Sequence, residues 1–209
     1  MSLKRISLFV MVLVSLVVNT VGPIATSAAV PILQAASTNA PILLIVNSSA
    51  PNKFGLYLGE ILRAEGLNAF DQVELNSLTA AQLAQYDLAL LAQTPLTSAQ
   101  ASMLSGYVSG GGALLAMRPD AQLNSLFGLN TSAGTRSNGY LQIQTNAIFN
   151  NAAPGSGLTS ATLQIHGSAD QYTLATGAVM LAQLYSSASS STPYPAVVVD
   201  RHWNLLRAN

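Results

Sequence analysis

Cysteine is absent from this sequence of 209 residues. Without it the chain can form no disulfide framework, and it has no thiolate with which to bind a metal ion. A cysteine nucleophile is excluded as well, because thiolate chemistry depends on that side chain. The absence of cysteine therefore excludes disulfide-stabilised scaffolds, metal sites with cysteine ligands and enzymes with a cysteine nucleophile.

Charged residues are also scarce. They make up 8% of the chain, against about 25% in an average soluble domain. The 8 basic side chains are scattered along the chain and balanced by 8 acidic ones, so no cationic surface that could bind a nucleic acid backbone is expected. Hydrophobic residues make up 50%, far more than in an intrinsically disordered chain. The composition predicts a folded protein that binds no nucleic acid.

The N-terminus has the order of a secretory signal peptide. The basic pair Lys4-Arg5 precedes an apolar run at 6–18, and small residues follow at 25–29. The run is shorter than the roughly 20 apolar residues that a membrane span needs. We expect residues 1–29 to be removed on export, which makes the mature chain secreted or part of the cell envelope. The alternatives are a retained segment, which would be the chain's contact with a membrane, and a buried strand.

One domain is expected in the rest of the chain. Residues 30–40 predict a short flexible lead-in, and residues 41–209 are numerous enough for one α/β domain with a sizeable core. Two segments, 130–157 and 186–195, are rich in small polar residues that favour loops. Because hydrophobic strand patterns resume after each, we interpret both as surface loops and not as linkers between domains.

Strand and helix patterns alternate from residue 41 onward. The first predicted strand, Ile42–Val46, is a continuous apolar run, which is typical of a strand covered on both faces. A helix ending at Gly66 follows, because glycine readily takes the left-handed conformation that closes a helix. Its predicted apolar face consists of Phe54, Tyr57, Leu58, Ile61 and Leu62. Further strands are predicted at 69–75, 87–92 and 113–117.

Two helix starts share one capping pattern. Thr79 and Thr97 each follow a leucine and precede a glutamine three residues later, Gln82 and Gln100. In this arrangement the hydroxyl and the amide side chain cap each other's backbone N–H groups. The second helix ends in a glycine run at 110–112. We interpret that run as a helix cap and tight corner, because a phosphate loop follows a strand and opens a helix.

The alternation predicts a three-layer α/β/α sandwich with a mainly parallel sheet. The C-terminal third of the chain differs from this pattern, because it is β-rich and has no clear helix between its strands. Those strands are predicted at 140–145, 161–165, 171–174, 178–185 and 196–200. We expect them either to extend the sheet at an edge or to form an antiparallel flap.

Two segments carry a resemblance to a known family. PILLIVN, from Pro41 to Asn47, and YVSGGGALLAMRPD, from Tyr107 to Asp120, resemble the class I glutamine amidotransferase-like superfamily, and the second segment is the more specific. The likeness covers roughly residues 41–200. It is closer to non-catalytic, secreted bacterial members, which often stand at the start of larger extracellular proteins. The resemblance implies a flavodoxin-like fold with a β-rich C-terminal third.

The chain departs from the enzymes of this superfamily at one position. In amidotransferases the nucleophilic cysteine comes just after the strand that the second segment enters, and here that place holds Met117, Arg118 and Pro119. Neither methionine nor arginine can accept an acyl group, so glutamine hydrolysis is not expected. The resemblance also implies strand and loop sequence beyond Asp200. A domain truncated at its C-terminus, or a fragment of a longer gene, is therefore a further expectation.

Polar side chains follow three of the predicted strands, at the edge where ligands of open parallel sheets bind. A polar rim with one cation and one anion would consist of Asn47, Ser48, Ser49, Gln93, Thr94, Arg118 and Asp120. A structural alternative also explains these residues. Asn47, Ser49 and Asp120 would cap the helices that follow them. Arg118 would then pair with Asp120 or with a backbone carbonyl.

His166 lies in mid-chain, close in sequence to Asp170. With a serine these two residues would make a Ser-His-Asp hydrolase, but the chain has no Gly-x-Ser-x-Gly elbow. His166 is therefore a ligand-binding candidate, with a simple turn histidine as the structural alternative. His202 lies near the C-terminus, and no close histidine pair predicts a metal site. No metal and no other cofactor is expected.

Three functional hypotheses follow from these residues. The preferred one is a secreted, non-enzymatic module that binds a small molecule, a glycan or a protein, as the N-terminal part of a larger extracellular bacterial protein. The alternative is a secreted hydrolase that uses His166 with Asp170 or Asp120 and a serine. The third is a truncated remnant that has kept no function.

Overall fold

The computed structural model describes residues 40–200. The predicted signal segment at 1–29, the lead-in as far as residue 39, and His202 lie outside the described residues. Within the described range, no helix combines the length and the apolar character that crossing a bilayer requires.

A four-stranded parallel sheet forms the first part of the fold. Its strands are β1 (Ile42–Val46), β2 (Phe70–Glu74), β3 (Leu88–Leu91) and β4 (Ala113–Ala116), in the order β2-β1-β3-β4. The four strands expected from the apolar runs are confirmed. β1 and β3 lie in the middle of the sheet and are buried along most of their length, which explains why they lack polar alternation. The order matches the first four strands of a flavodoxin-like sheet.

Helices lie on both faces of this sheet. Between residues 40 and 200 they are α1 (Phe54–Ala64), α2 (Ala80–Leu83), α3 (Ser98–Ser109) and a 3-10 helix (Ala121–Phe127). Leu44 and Val46 of β1 point to one face and form an apolar cluster with α1. Leu43 and Ile45 point to the other face, where they join the cluster formed by α2, α3 and the 3-10 helix. Because the side chains of β1 alternate between the two faces, they contribute to the apolar cluster on each side of the sheet.

The predicted helix ends are confirmed. The Thr79 hydroxyl accepts a hydrogen bond from the Gln82 backbone N–H at 3.2 Å, and Gln82 Oε1 accepts one from the Thr79 backbone N–H at 3.1 Å. Thr97 and Gln100 form the same capping box at the start of α3. Helix α3 ends in the glycine run, where Gly111 has φ 98°. The left-handed backbone there turns the chain into β4.

The predicted apolar face of α1 is partly wrong. Leu58 and Leu62 pack against the sheet, but Phe54, Tyr57 and Ile61 are 49%, 53% and 58% exposed. The reason is Gly59, which is buried against the sheet. A Cβ at this position would lie 2.9 Å from Leu44 Cδ2. Part of the helix face that packs on the sheet is thus a residue without a side chain, so a search for apolar spacing could not find the contact.

The C-terminal part forms its own antiparallel sheet. Its strands are β6 (Tyr140–Ile143), β7 (Leu163–Gln164), β9 (Val179–Ser187) and β10 (Ser190–Val199), in the order β10-β9-β6-β7. A separate two-stranded ribbon pairs β5 (Thr135–Ser137) with β8 (Ser168–Asp170). These strands do not extend the parallel sheet. Of the two arrangements expected for this region, the antiparallel one is present.

Three details of this region correct the expectations. The segment 186–195 is not a loop: it contains the end of β9, the turn and the first half of β10. Proline is tolerated there because β10 is an edge strand. The strand expected at 171–174 lies earlier, at Ser168–Asp170. The segment 130–157, expected to be mainly loop, also contains the unpredicted β5, whereas β6 confirms the strand expected at 140–145. Strand propensity depends on cross-strand neighbours, and those neighbours are distant in the sequence.

Candidate functional site

A shallow depression lies at the carboxyl edge of the parallel sheet, between the ends of β1 and β3. Its lining consists of Ile45, Asn47, Ala50, Asn52, Gly55, Ala92, Gln93 and Thr94. The strand order reverses between β1 and β3, and ligands of open α/β sheets bind at such a switch point. The structure thus brings the predicted residues Asn47 and Gln93 together at the expected edge.

A hydrogen-bond chain orders the polar side of the depression. Asn47 Nδ2 donates to Thr94 Oγ1 at 2.9 Å, and Ser49 Oγ donates to Asn47 Oδ1 at 2.8 Å. Thr94 is buried, with 7% of its surface exposed. Gln93 is half-buried in the same lining. Amide and hydroxyl groups therefore dominate the polar lining, and both kinds of group can donate as well as accept hydrogen bonds.

Ser48 and Lys53 hold the loop that follows β1. The Ser48 backbone N–H donates to Glu74 Oε2 at 3.0 Å. Lys53 Nζ donates to the carbonyl oxygens of Ser48 and Ala50. The proposed capping of α1 by Asn47 and Ser49 is wrong, because Lys53 is the N-cap residue and supplies no side-chain cap. The side chains of Asn47 and Ser49 instead form the hydrogen-bond chain that reaches Thr94, just after β3.

A strained turn follows β4. Arg118 has φ 48°, a left-handed conformation that costs a non-glycine residue about 1–2 kcal/mol. Its guanidinium forms a two-pronged ion pair with Asp170, in which Nε and Nη2 each donate to a carboxylate oxygen at 2.8 Å. These bonds raise the pKa of Arg118. The expected pair between Arg118 and Asp120 is therefore wrong, and the partner lies 52 positions later in the chain.

Asp120 is occupied by backbone groups, which explains why it does not pair with Arg118. Its carboxylate accepts hydrogen bonds from the backbone N–H groups of Gln122 and Leu96, both at 3.0 Å. Burial acts to raise the pKa of Asp120, but these bonds together hold it below its ordinary value. The predicted capping role of Asp120 is confirmed, because it is the N-cap of the 3-10 helix.

Tyr172 extends the cluster around Asp170. Its hydroxyl donates to Asp170 Oδ2 at 3.4 Å. Burial, followed by the charge of Asp170, raises the pKa of Tyr172, so the phenol stays protonated at neutral pH. The sequence interpretation missed this role of Tyr172 and considered Asp170 only as a partner of His166. No local signal connects either residue with Arg118, because the ion pair joins the turn after β4 to strand β8.

Comparison with known proteins bears on the fold. No family model matches the chain, and no curated protein is similar enough to count as a relative. A solved structure of a ThuA-like protein from Bacteroides uniformis has a TM-score of 0.55 and 11% identity, with 77% of each chain covered. This likeness supports a flavodoxin-like fold for the chain. A β-galactosidase structure from Bifidobacterium adolescentis, at 13% identity, covers 76% of this chain and 88% of that chain with a TM-score of 0.32, too low for an argument.

The strained turn lies in the segment Tyr107–Asp120 that carries the family resemblance. The resemblance implies that the enzymes place a nucleophile just after the strand that corresponds to β4. Here β4 leads through Met117 into Arg118 at φ 48° and then into Asp120, the N-cap of the 3-10 helix. The sharp strand-to-helix turn is thus present, as at a nucleophile elbow. The side chain at its strained position is a guanidinium bound by a carboxylate.

The His166 ring takes no part in the hydrogen bonds of either cluster within residues 40–200. His166 is exposed, and within residues 40–200 its ring forms no hydrogen bond with a serine or a carboxylate. Asp170, the acid nearest to it in sequence, accepts from Arg118 and Tyr172. Across the described part of the chain, no group of three histidine, cysteine or acidic side chains is placed to hold a metal ion.

Proposed function

We propose that this chain is a secreted, non-catalytic α/β module that binds a ligand or a partner, as the N-terminal part of a larger extracellular bacterial protein. One observation carries the proposal. The strained position after β4 holds Arg118, and the guanidinium of Arg118 is bound by both oxygens of Asp170. The chain thus has a strand-to-helix turn of the kind that positions a nucleophile in enzymes, and here the turn positions an ion pair.

The chemistry of Arg118 supports the absence of catalysis. A guanidinium has five N–H donors and no acceptor, and it stays protonated in proteins. It can therefore act neither as a nucleophile nor as a general base. Its ion pair with Asp170 also occupies the carboxylate that a histidine-based mechanism would need. The hydrolase hypothesis thus has little support from the geometry around His166.

The depression between β1 and β3 supports the binding part of the proposal. Asn47, Gln93 and Thr94 bring neutral donors and acceptors to one small site, and the nearby Lys53 is held by backbone carbonyls. Neutral amide and hydroxyl groups are suited to the hydroxyls of a sugar or the amides of a peptide. The depression is far smaller than the roughly 300–1,000 Å³ of most ligand pockets. It would hold one polar group of a ligand, such as a hydroxyl or an amide, while the rest of the ligand lies on the surface around it.

Turnover assays test the catalytic side. The purified chain is incubated with a panel of amide, ester and glycoside substrates, in parallel with Arg118→Ala and His166→Ala. We expect no turnover above buffer for any of the three proteins. Turnover by the unaltered chain that is lost in His166→Ala would support the hydrolase and contradict the proposal.

Titrations monitored by NMR test the binding side. Monosaccharides and short peptides are added to the isotope-labelled chain, and backbone amide shifts are followed. We expect saturable shifts around Asn47 and Gln93, weakened in Asn47→Ala and in Gln93→Ala. The exposed Thr135 of β5 provides the control variant Thr135→Ala, which should bind as the unaltered chain does. Shifts that are equally strong in all four proteins would contradict this site.

Export is part of the same proposal. The support for it is the order of the pair Lys4-Arg5, the apolar run at 6–18 and the small residues at 25–29. The test is expression in a bacterial host, followed by mass spectrometry of the protein recovered from the medium and the periplasm. We expect a mature N-terminus next to residue 28 or 29. Recovery of the uncut chain from the cytoplasm alone would contradict it.

A further inference from the structure

Strand β4 is an outer strand of the parallel sheet, and half of its backbone groups point away from that sheet. The N–H groups of Ala113 and Met117 donate to the carbonyls of Asp87 and Leu91, so these residues face β3. Backbone groups alternate in direction along a strand, and Leu114 and Ala116 therefore face outward. In the described part of the chain no strand pairs with this side of β4.

The other outer strands of the two four-stranded sheets carry features that hinder pairing. β2 contains two acidic residues, Asp71 and Glu74. β10 contains Pro193 and Pro195, and its register against β9 shifts repeatedly. β7 is only 2 residues long. Charges, prolines, bulges and short length are the means by which proteins keep sheet edges from pairing.

β4 is short as well, but it has no charge, no proline and no bulge. Its sequence is ALLA, and its register against β3 is regular. Leu115, in the middle of the strand, is 46% exposed, and Met117 just beyond it is 45% exposed. Leu115 stands beside Leu90 in the sheet, on the face that α1 covers only in part. An apolar and unprotected edge of this kind is suited to pairing with another strand.

We propose that β4 pairs with β4 of a second copy of this chain, antiparallel and about a two-fold axis through Leu115. In an antiparallel pair the residues that exchange both hydrogen bonds must face each other. On each chain the outward residues are Leu114 and Ala116. A two-fold axis at Leu115 sets Leu114 opposite Ala116 of the second copy, and Ala116 opposite its Leu114. Every outward N–H and carbonyl of the strand then has a partner.

The same register brings the exposed side chains together. Leu115 faces Leu115 of the second copy in a non-hydrogen-bonded pair, where the Cα atoms are about 4.5 Å apart and the side chains are closest. Met117 lies opposite Ala113 of the second copy. A two-fold interface uses the same surface of both molecules. In this register β4 matches its own hydrogen-bonding groups and apolar side chains, and no charges oppose each other. These matches favour a second copy of the chain over an unrelated strand. The result is one continuous sheet across two molecules.

Sedimentation equilibrium over a range of concentrations tests the association. We expect a reversible monomer–dimer equilibrium, weakened about tenfold or more by Leu115→Lys, because like charges directly opposite each other destabilise a strand pair. The matched control is Val197→Lys, since Val197 is 47% exposed on β10. The control should dimerise as the unaltered chain does. A monomer at all concentrations, or a dimer that is equally strong in both variants, would overturn the proposal.

Cross-linking tests the register. The chain has no cysteine, so a single introduced cysteine reports on one position. Two Cα atoms at the expected separation of about 4.5 Å lie within disulfide range. Leu115→Cys should therefore form a covalent dimer under mild oxidation much faster than Val197→Cys. Equal rates would overturn the proposed pairing, and circular dichroism of both variants checks that the fold is intact.

Discussion

The ion pair between Arg118 and Asp170 offers the sharpest test of how the fold is held at its candidate site. It joins the turn after β4 to strand β8, across 52 positions of the chain. Removing either partner leaves the other without its charged neighbour. We therefore expect Arg118→Ala and Asp170→Ala each to destabilise the protein, and the double variant to lose less than the sum.

The size of the effect follows from exposure. The side chain of Asp170 is 15% exposed and that of Arg118 is 35% exposed. Exposed ion pairs contribute about 0–1 kcal/mol, and hydrogen bonds to charged groups contribute about 1.5–3 kcal/mol when shielded from water. The pair of Arg118 and Asp170 is partly exposed and two-pronged, so its coupling energy should lie between these limits, at about 1–2 kcal/mol. Either single variant should lower the melting temperature by about 3–6 °C.

Urea unfolding of the four proteins at neutral pH and low salt measures this coupling directly. The control cycle replaces Arg118 and Asp87, because Asp87 precedes β3 at the opposite end of the sheet from the turn after β4. That second cycle should show no coupling. In 1 M salt, where the Debye length is about 3 Å, the first coupling should become smaller.

A coupling below about 0.3 kcal/mol, which is within the additivity of independent sites, would show that this ion pair does not stabilise the fold. A further variant separates the ion pair from the backbone strain. Arg118→Gly also removes the guanidinium, but glycine accepts φ 48° without steric cost. It should be more stable than Arg118→Ala by about 1 kcal/mol. Equal stability of these two variants would show that the turn is not strained.

Three further predictions concern the surrounding scaffold. Thr97→Ala removes the hydroxyl of a capping box and should lower the free energy of unfolding by about 1 kcal/mol, measured by urea denaturation. Gly112→Ala places a Cβ 2.1 Å from the Tyr107 ring and should cost about 1–3 kcal/mol. Its control, Gly106→Ala, meets open space within α3 and should leave stability equal or higher. The pKa of Asp120 is lowered in the folded state, so its stabilising effect is present above the ordinary value and is lost as pH falls through the folded value. The stability difference between the unaltered chain and Asp120→Asn should therefore shrink in unfolding measurements below about pH 4. A difference that is constant with pH would contradict this assignment.

Local rules were sufficient for the strands and the helix ends of the parallel half of the fold. A continuous apolar run such as Ile42–Val46 indicates by itself that the strand is buried. A threonine followed three residues later by a glutamine supplies both side chains of a capping box. Such signals involve only a few neighbouring residues, so one sequence is enough to read them. The carboxyl edge that gathers Asn47 and Gln93 followed from the same strands, because parallel strands end at the same edge of a sheet.

Partners that are distant in the sequence were not predictable in this way. Nothing near Arg118 indicates that its carboxylate is Asp170 and not Asp120, because that choice depends on how the ribbon of β5 and β8 lies against the turn. The buried face of α1 depended on Gly59, whose contribution is the absence of a side chain. The serine-rich segment became a hairpin through bonds such as that from Thr192 Oγ1 to the Leu184 carbonyl, at 2.7 Å.

The two capping boxes have a consequence for the conditions in which the fold persists. Helices α2 and α3 have no acidic residue in the first turn and no basic residue in the last. Their N-terminal ends are held by threonine and glutamine side chains, and their C-terminal ends by backbone hydrogen bonds; none of these groups titrates or attracts counterions. Dissolved salt weakens interactions between charges, and it leaves such neutral caps unaffected. These helices should therefore keep their ends equally well in dilute, saline or mildly acidic water.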